Sequence, residues 1–237
     1  MTRMKMLLLS TSCLAAAAAM SAAQAADLPQ DMSGGLPDYG AAAVPGTLPA
    51  VSGVNGKLSA FGGIDGLPNI NFGKKNAALF GVTGSFSMPL GHAYGLQVDG
   101  MVGSGRGAAF YGVGGHLFWR DPAKGLVGVY GSYVNWDALT AAPFPFVGVA
   151  GADVGKIGAE GAAYLGRFSL EGLAAYQFGK FDGFAGKALL AYYPTDNFRI
   201  DGGIRYMDGP GAMGVVDAEW QPHSGSGLSF YAKGSFG

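Results

Sequence analysis

From Lys57 to Phe236 apolar residues tend to recur at every second position, in segments of about ten residues separated by clusters of turn-forming residues. Alternation by twos places successive side chains on opposite faces of an extended strand. It predicts strands near 57–65, 77–88, 93–103, 108–119, 125–136, 152–164, 168–178, 184–193, 198–207, 213–220 and 227–236. The stretch NFRIDGGIRYMDG at 197–209 shows the rule: Phe198, Ile200, Ile204 and Tyr206 fall on one face, and Arg199, Asp201 and Arg205 on the other. Strand 168–178 sets Phe168, Leu170, Tyr176 and Phe178 against Ser169, Glu171 and Gln177. Strand 227–236 sets Leu228, Phe230, Ala232 and Phe236 against Ser229, Tyr231, Lys233 and Ser235.

The connections are of two kinds. PLGH at 89–92, RDPAKG at 120–125, LGR at 165–167, PTDN at 194–197 and QPHSGSG at 221–227 are tight and rich in turn residues. GLPNINFGKKN at 66–76 and ALTAAPFPFVGVAG at 138–151 are the longest of a more variable set. Short turns at one end and variable loops at the other fit an up-and-down meander whose rims face different compartments.

The polar face collects Asp99, Lys156, Glu160, Glu171, Lys187, Arg199, Asp201, Arg205, Asp217, Glu219 and Lys233, a set of mixed sign. A soluble β-sandwich would also alternate, with its apolar face inward. Two features favour a membrane instead. Aromatic residues gather at strand ends: Trp119, Tyr164, Phe168, Tyr192, Tyr193, Phe198, Trp220 and Phe230 near the short turns, and Trp136, Phe178 and Tyr206 near the other rim. Two aromatic bands are what two membrane–water interfaces select. Between them the apolar face carries Gly, Ala, Val, Leu and Ile with almost no charge. A helical membrane bundle fits less well, because the charge-free run 76–98 holds Pro89 and Gly91 and alternates by twos. Strands in lipid must bond every backbone group, so the expected fold is all-β: an antiparallel up-and-down transmembrane β-barrel of about 10–12 strands.

Composition agrees: 43 glycines in 237 residues argue against a helical protein, and only 13% of residues are charged. At the amino end, Arg3 and Lys5 precede the apolar run Met6–Leu9 and an alanine-rich stretch, and Ala23-Gln24-Ala25 supplies small residues for cleavage before Ala26. Residues 1–25 are therefore read as a cleaved export signal, with the outer membrane as destination. Cleavage would move the formal charge from −1 to −3 and remove the only cysteine, Cys13, whose flank Ser10-Thr11-Ser12 is no lipidation box. Disulfides and thiol chemistry are then excluded from the mature chain, and scattered charges leave no basic stripe for nucleic acid. Residues 26–55, with Pro29, Pro37, Pro45 and Pro49 and no apolar period, form an extended lead-in, and residues 56–237 form the barrel.

The chain resembles the small outer-membrane β-barrel proteins of Gram-negative bacteria, loosely the porin-like surface proteins. The likeness rests on the signal ending Ala23-Gln24-Ala25, the alternating strands with aromatic rims, and the Phe-bearing last strand GLSFYAKGSFG. It implies insertion by the barrel-assembly machinery, contact with outer-membrane lipid, and a structural or diffusion role. Two features depart from the group: Gly237 follows Phe236, and eleven is an odd number of strands. Either a strand has been split or missed, or the sequence stops before a closing one.

Motifs for chemistry are sparse. GSGRG at 103–107 lacks the Lys-Ser/Thr ending and following helix of a phosphate loop. His92, His116 and His223 have no metal-ligand spacing, and no cofactor is expected. A lipid-modifying enzyme would need His116 beside a serine such as Ser132, and no motif supports it, so the chain is not read as an enzyme. The interior charges leave two readings: they line a narrow pore for small solutes, or they pair and fill the interior. A third role, adhesion, would put a surface ligand on the loops and leave the barrel an inert anchor.

Overall fold

The computed structural model describes residues 49–66, 76–105, 108–136, 152–208, 211–222 and 228–236. The export signal, most of the lead-in, the loop 138–151, and 66–76 apart from its end residues lie outside the described residues. The strands are β1 (Asn55–Gly66), β2 (Asn76–Leu90), β3 (Tyr94–Gly105), β4 (Ala108–Asp121), β5 (Gly125–Trp136) and β6 (Ala152–Leu165). They continue as β7 (Phe168–Gly179), β8 (Gly183–Thr195), β9 (Phe198–Met207), β10 (Gly211–Trp220) and β11 (Phe230–Phe236). All eleven expected segments are strands, so none was split.

One antiparallel sheet runs in sequence order from β1 to β11 and curls into a half-barrel. The described turns are tight. Between β6 and β7 only Gly166 and Arg167 intervene, and Gly166 sits at φ +65°, a conformation two-residue hairpins require and glycine adopts without strain. Between β8 and β9 the register shifts from Tyr192↔Ile200 to Thr195↔Phe198. Pro194 lies in that irregular stretch and has no N–H to give a ladder.

The edges behave differently. β1 pairs only with β2, and β11 only with β10. Across the seam between them two side chains reach: Lys57 Nζ lies 3.3 Å from Glu219 Oε1 in β10, and the Tyr231 hydroxyl donates to the Ala60 carbonyl at 3.4 Å.

Side chains sort inside out. Val98, Val102, Val113, Val127, Val129, Ile157, Leu170, Leu190 and Ile204 point outward and are exposed, whereas Gln97, Asp99, His116, Glu171, Gln177 and Asp201 point to the concave side and are buried. Aromatic rings pair across neighbouring strands on the outer face, Phe168 with Tyr192 at 4.8 Å and Trp220 with Phe230 at 6.2 Å near the short turns, and Phe184 with Tyr206 at 6.1 Å near the opposite rim. Three of the end aromatics do not belong to these bands. Trp136 is buried in the interior against Phe110 at 4.6 Å, and the rings of Tyr164 and Tyr193 lie under Arg120 and Arg199. Period-two parity explains the correction, since all three share a strand face with inward residues.

The interior has two apolar plugs on its β1–β6 side. Near the variable-loop end, Met101, Phe110, Val134 and Trp136 pack together with Phe61, Leu79 and Phe181. Near the short-turn end, Val51 packs on Phe118 and Leu126. Glycine makes both contacts possible: a Cβ at Gly103 would stand 2.2 Å from Phe110 Cζ, and one at Gly95 2.6 Å from both Phe118 and Val51. The last described stretch of the lead-in thus enters the barrel. The Ala50 N–H donates to the His92 carbonyl at 2.7 Å, and Arg120 Nη1 donates to the Ala50 carbonyl at 3.4 Å.

Candidate functional site

The strand registers put all eleven expected charge positions on the concave face. They fall into two groups.

The first group spans β3, β4 and β6. His116 points inward from the middle of β4, in register with Gln97 of β3 and Tyr130 of β5. Its Nδ1 lies 2.8 Å from Glu160 Oε1 and 2.9 Å from Oε2, and its Nε2 faces Asp99 Oδ2 at 2.9 Å. Gln97 Nε2 donates to the other Asp99 oxygen at 2.8 Å, and the Tyr130 ring covers the imidazole at 4.9 Å. An imidazole that serves two carboxylates needs a proton on each nitrogen. The His116 side chain is only 2% exposed and that of Asp99 6%, while that of Glu160 is 16% exposed, so the triad is buried except at Glu160. Both nitrogens face carboxylates. Ser132, the expected neighbour, instead accepts from the Tyr130 hydroxyl at 2.5 Å.

The second group lies on β7–β11. Arg199 forks between Glu171 Oε1 and Asp201 Oδ2, each at 2.9 Å, and its guanidinium stands 5.9 Å from the centre of the Tyr193 ring. Lys233 pairs with Asp217 at 3.7 Å, and Glu219 takes Lys57 at the seam. These pairs sit toward the short-turn half of the strands. Farther from those turns, Lys187 of β8 stands directly opposite Arg205 of β9, and Lys156 Nζ of β6 reaches to 4.0 Å from Met207 Sδ. Exposure here is uneven: Lys233 is 32% exposed and Asp217 24%, whereas Arg199 is 14% exposed and Glu171 and Asp201 6%.

Lys57, Arg120 and His116 are interior residues that the charge pattern did not single out. Lys57 heads its strand beyond the lead-in, and Arg120 belongs to a turn motif, so end position hid both. His116 was weighed as a base and not as the centre of an ion triad. Counting by twos along strands of a meander would have aligned it with Gln97 and Tyr130.

The arrangement binds no metal through a cluster of three or more His, Cys, Asp or Glu among the described residues. No described helix is long and apolar enough to cross a membrane, which leaves strands untouched. No family model matches the chain, and no curated protein or solved structure matches it.

Proposed function

We propose that the protein is an outer-membrane β-barrel acting as a narrow pore for small charged solutes, its path running along the ionic side formed by β7–β11. The observation that carries this reading is the inverted sorting of side chains, with Val, Leu, Ile and aromatic residues exposed on the convex face and ions on the concave one. A soluble monomer rarely exposes an apolar surface that is continuous over a whole sheet, whereas lipid is the natural solvent for one. The paired outer aromatic rings at both rims would sit at the two membrane interfaces. Export would use residues 1–25, and insertion the barrel-assembly machinery.

The width of the path follows from what fills the interior. Two apolar plugs and the His116 triad occupy the β1–β6 side, which leaves the charged side, where Lys233 and Asp217 are partly exposed, for water and ions. A second reading, an anchor with loops that bind a surface ligand, draws support from the same filled half.

Single-channel recording separates them. The protein, purified from the outer-membrane fraction of a Gram-negative host and checked for heat-modifiable gel migration, is placed in a planar bilayer. Steady openings whose ion preference changes when Arg199 and Arg205 are neutralised support the pore. A folded but silent barrel moves the function to the loops, and absence from the outer-membrane fraction overturns both readings.

A further inference from the structure

Charge on the inner face is balanced on one side of the barrel and unbalanced on the other. On the plugged side Asp99 and Glu160 stand against the His116 imidazolium and Arg120, two acids against two cations. On the other side Glu171, Asp201, Asp217 and Glu219 stand against Lys57, Lys156, Lys187, Arg199, Arg205 and Lys233, four acids against six cations. Among the described side chains, this side therefore carries two positive charges in excess. Pairing within the wall does not alter that sum. An ion pair is nearly neutral at a distance, so the field in the lumen follows the charge left over, whichever cation holds which acid.

Placement along the strands concentrates the excess. All four acids lie toward the short turns: Glu171 soon after Phe168, Asp201 soon after Phe198, and Asp217 and Glu219 shortly before Trp220. Lys156, Lys187 and Arg205 lie farther toward the variable loops. Lys187 stands directly opposite Arg205 in the β8–β9 ladder, and Lys156 Nζ is 4.0 Å from Met207 Sδ. On that half of β7–β11 no described acid points inward. Exposure acts in the same direction. Lys57 is more exposed than Glu219, Arg199 more than Glu171 and Asp201, and Lys233 more than Asp217. A solute in the lumen thus meets ammonium and guanidinium groups before it meets carboxylates.

We propose that the path along β7–β11 passes small anions, halides and short carboxylates among them, in preference to cations, a selectivity that rests on the pore reading and adds the sign of the solute. The acid-free half toward the variable loops is its vestibule. Lysines and arginines lining a constriction favour anions as acids favour cations, and a lining of one sign raises the local concentration of its counter-ions. The preference depends on salt, because the screening length is about 10 Å at 0.1 M and only about 3 Å at 1 M.

Reversal potentials in the planar bilayer, read across a potassium chloride gradient, test it. The wild type should pass chloride over potassium by at least about threefold at about 0.1 M salt and approach equality at about 1 M. Lys187→Glu cancels the excess and should bring the ratio close to one, with Lys187→Gln between the two. Lys124→Gln, whose lysine lies exposed in the β4–β5 turn, should keep the wild-type ratio. Should Lys187→Glu fail to fold, the wild type and the milder variant still decide. Steady current with no preference, or with potassium preferred, overturns the anion selectivity and leaves the pore. An unchanged ratio in the folded Lys187 variants overturns its assignment to this wall. A folded but silent barrel removes the pore and the selectivity with it.

Discussion

The wall of β2–β6 and the wall of β7–β11 present the same apolar face outward and differ on the inside. In the first, glycines at 95 and 103 let Phe118, Val51 and Phe110 lie flat on the backbone, and the His116 ionic cluster is largely buried. In the second, smaller apolar contacts such as Ala185, Met207 and Met213 leave a field of charges that pair in the lower half and crowd as cations farther up. One half is built as a core and the other as a lining. The lesson is that an alternating sequence decides which way each side chain points, while the volume of the inward residues decides whether the interior is full.

Three experiments press on that contrast. His116→Ala should cost about 3–5 kcal/mol of stability, because Asp99 would remain buried, and Glu160 partly so, without their cation. Lys233→Ala should cost no more than about 1 kcal/mol, since its pair with Asp217 is partly solvated. Urea unfolding in lipid vesicles measures both, and equal losses would break the distinction. Gly103→Val comes next, at about 1–3 kcal/mol, because its Cβ would meet Phe110 at 2.2 Å and the Phe80 carbonyl at 2.5 Å.

Removing the lead-in through Gly53 takes Ala50 and Val51 out of the short-turn mouth and should enlarge the unitary conductance severalfold. An unchanged conductance would mean that the path does not pass that plug. The smallest effect belongs to the rim. The Phe184 N–H donates to the Asp208 carboxylate at 2.7 Å and the Tyr206 hydroxyl donates at 2.7 Å, which together hold that carboxyl below the usual range. Its contribution is therefore present above the unfolded value of about 4 and is lost as pH falls through the lower folded value. The protection factor of the Phe184 amide, its exchange corrected for the intrinsic pH dependence, should fall in acid, and Asp208→Asn should abolish that fall.

Much of this was legible from the sequence. The alternation by twos in Phe198–Met207 and Phe168–Gly179 predicted both the strands and their inward residues, because parity is local and survives any error in strand ends. Pairing order followed from the short turns. What failed was reading position in place of parity, as with Trp136, Tyr164 and Tyr193, which lie at strand ends yet face inward. Val51 and the His116 triad were hidden for another reason. Glu160 is 44 residues from His116, and their contact depends on the register of two intervening hairpins. Val51 belongs to a segment with no period, so nothing local marks it as buried.

The seam between β1 and β11 has a mechanical consequence. A cylinder sewn by an unbroken ladder has a fixed girth, because every strand is tied to two neighbours at a set spacing. Among the described residues, a lysine side chain and a tyrosine side chain, both on rotatable arms, cross this joint. Such a joint is the compliant element of the hoop. Lateral stress would be taken up there first, spreading or closing the two edges while the ten strand ladders keep their register.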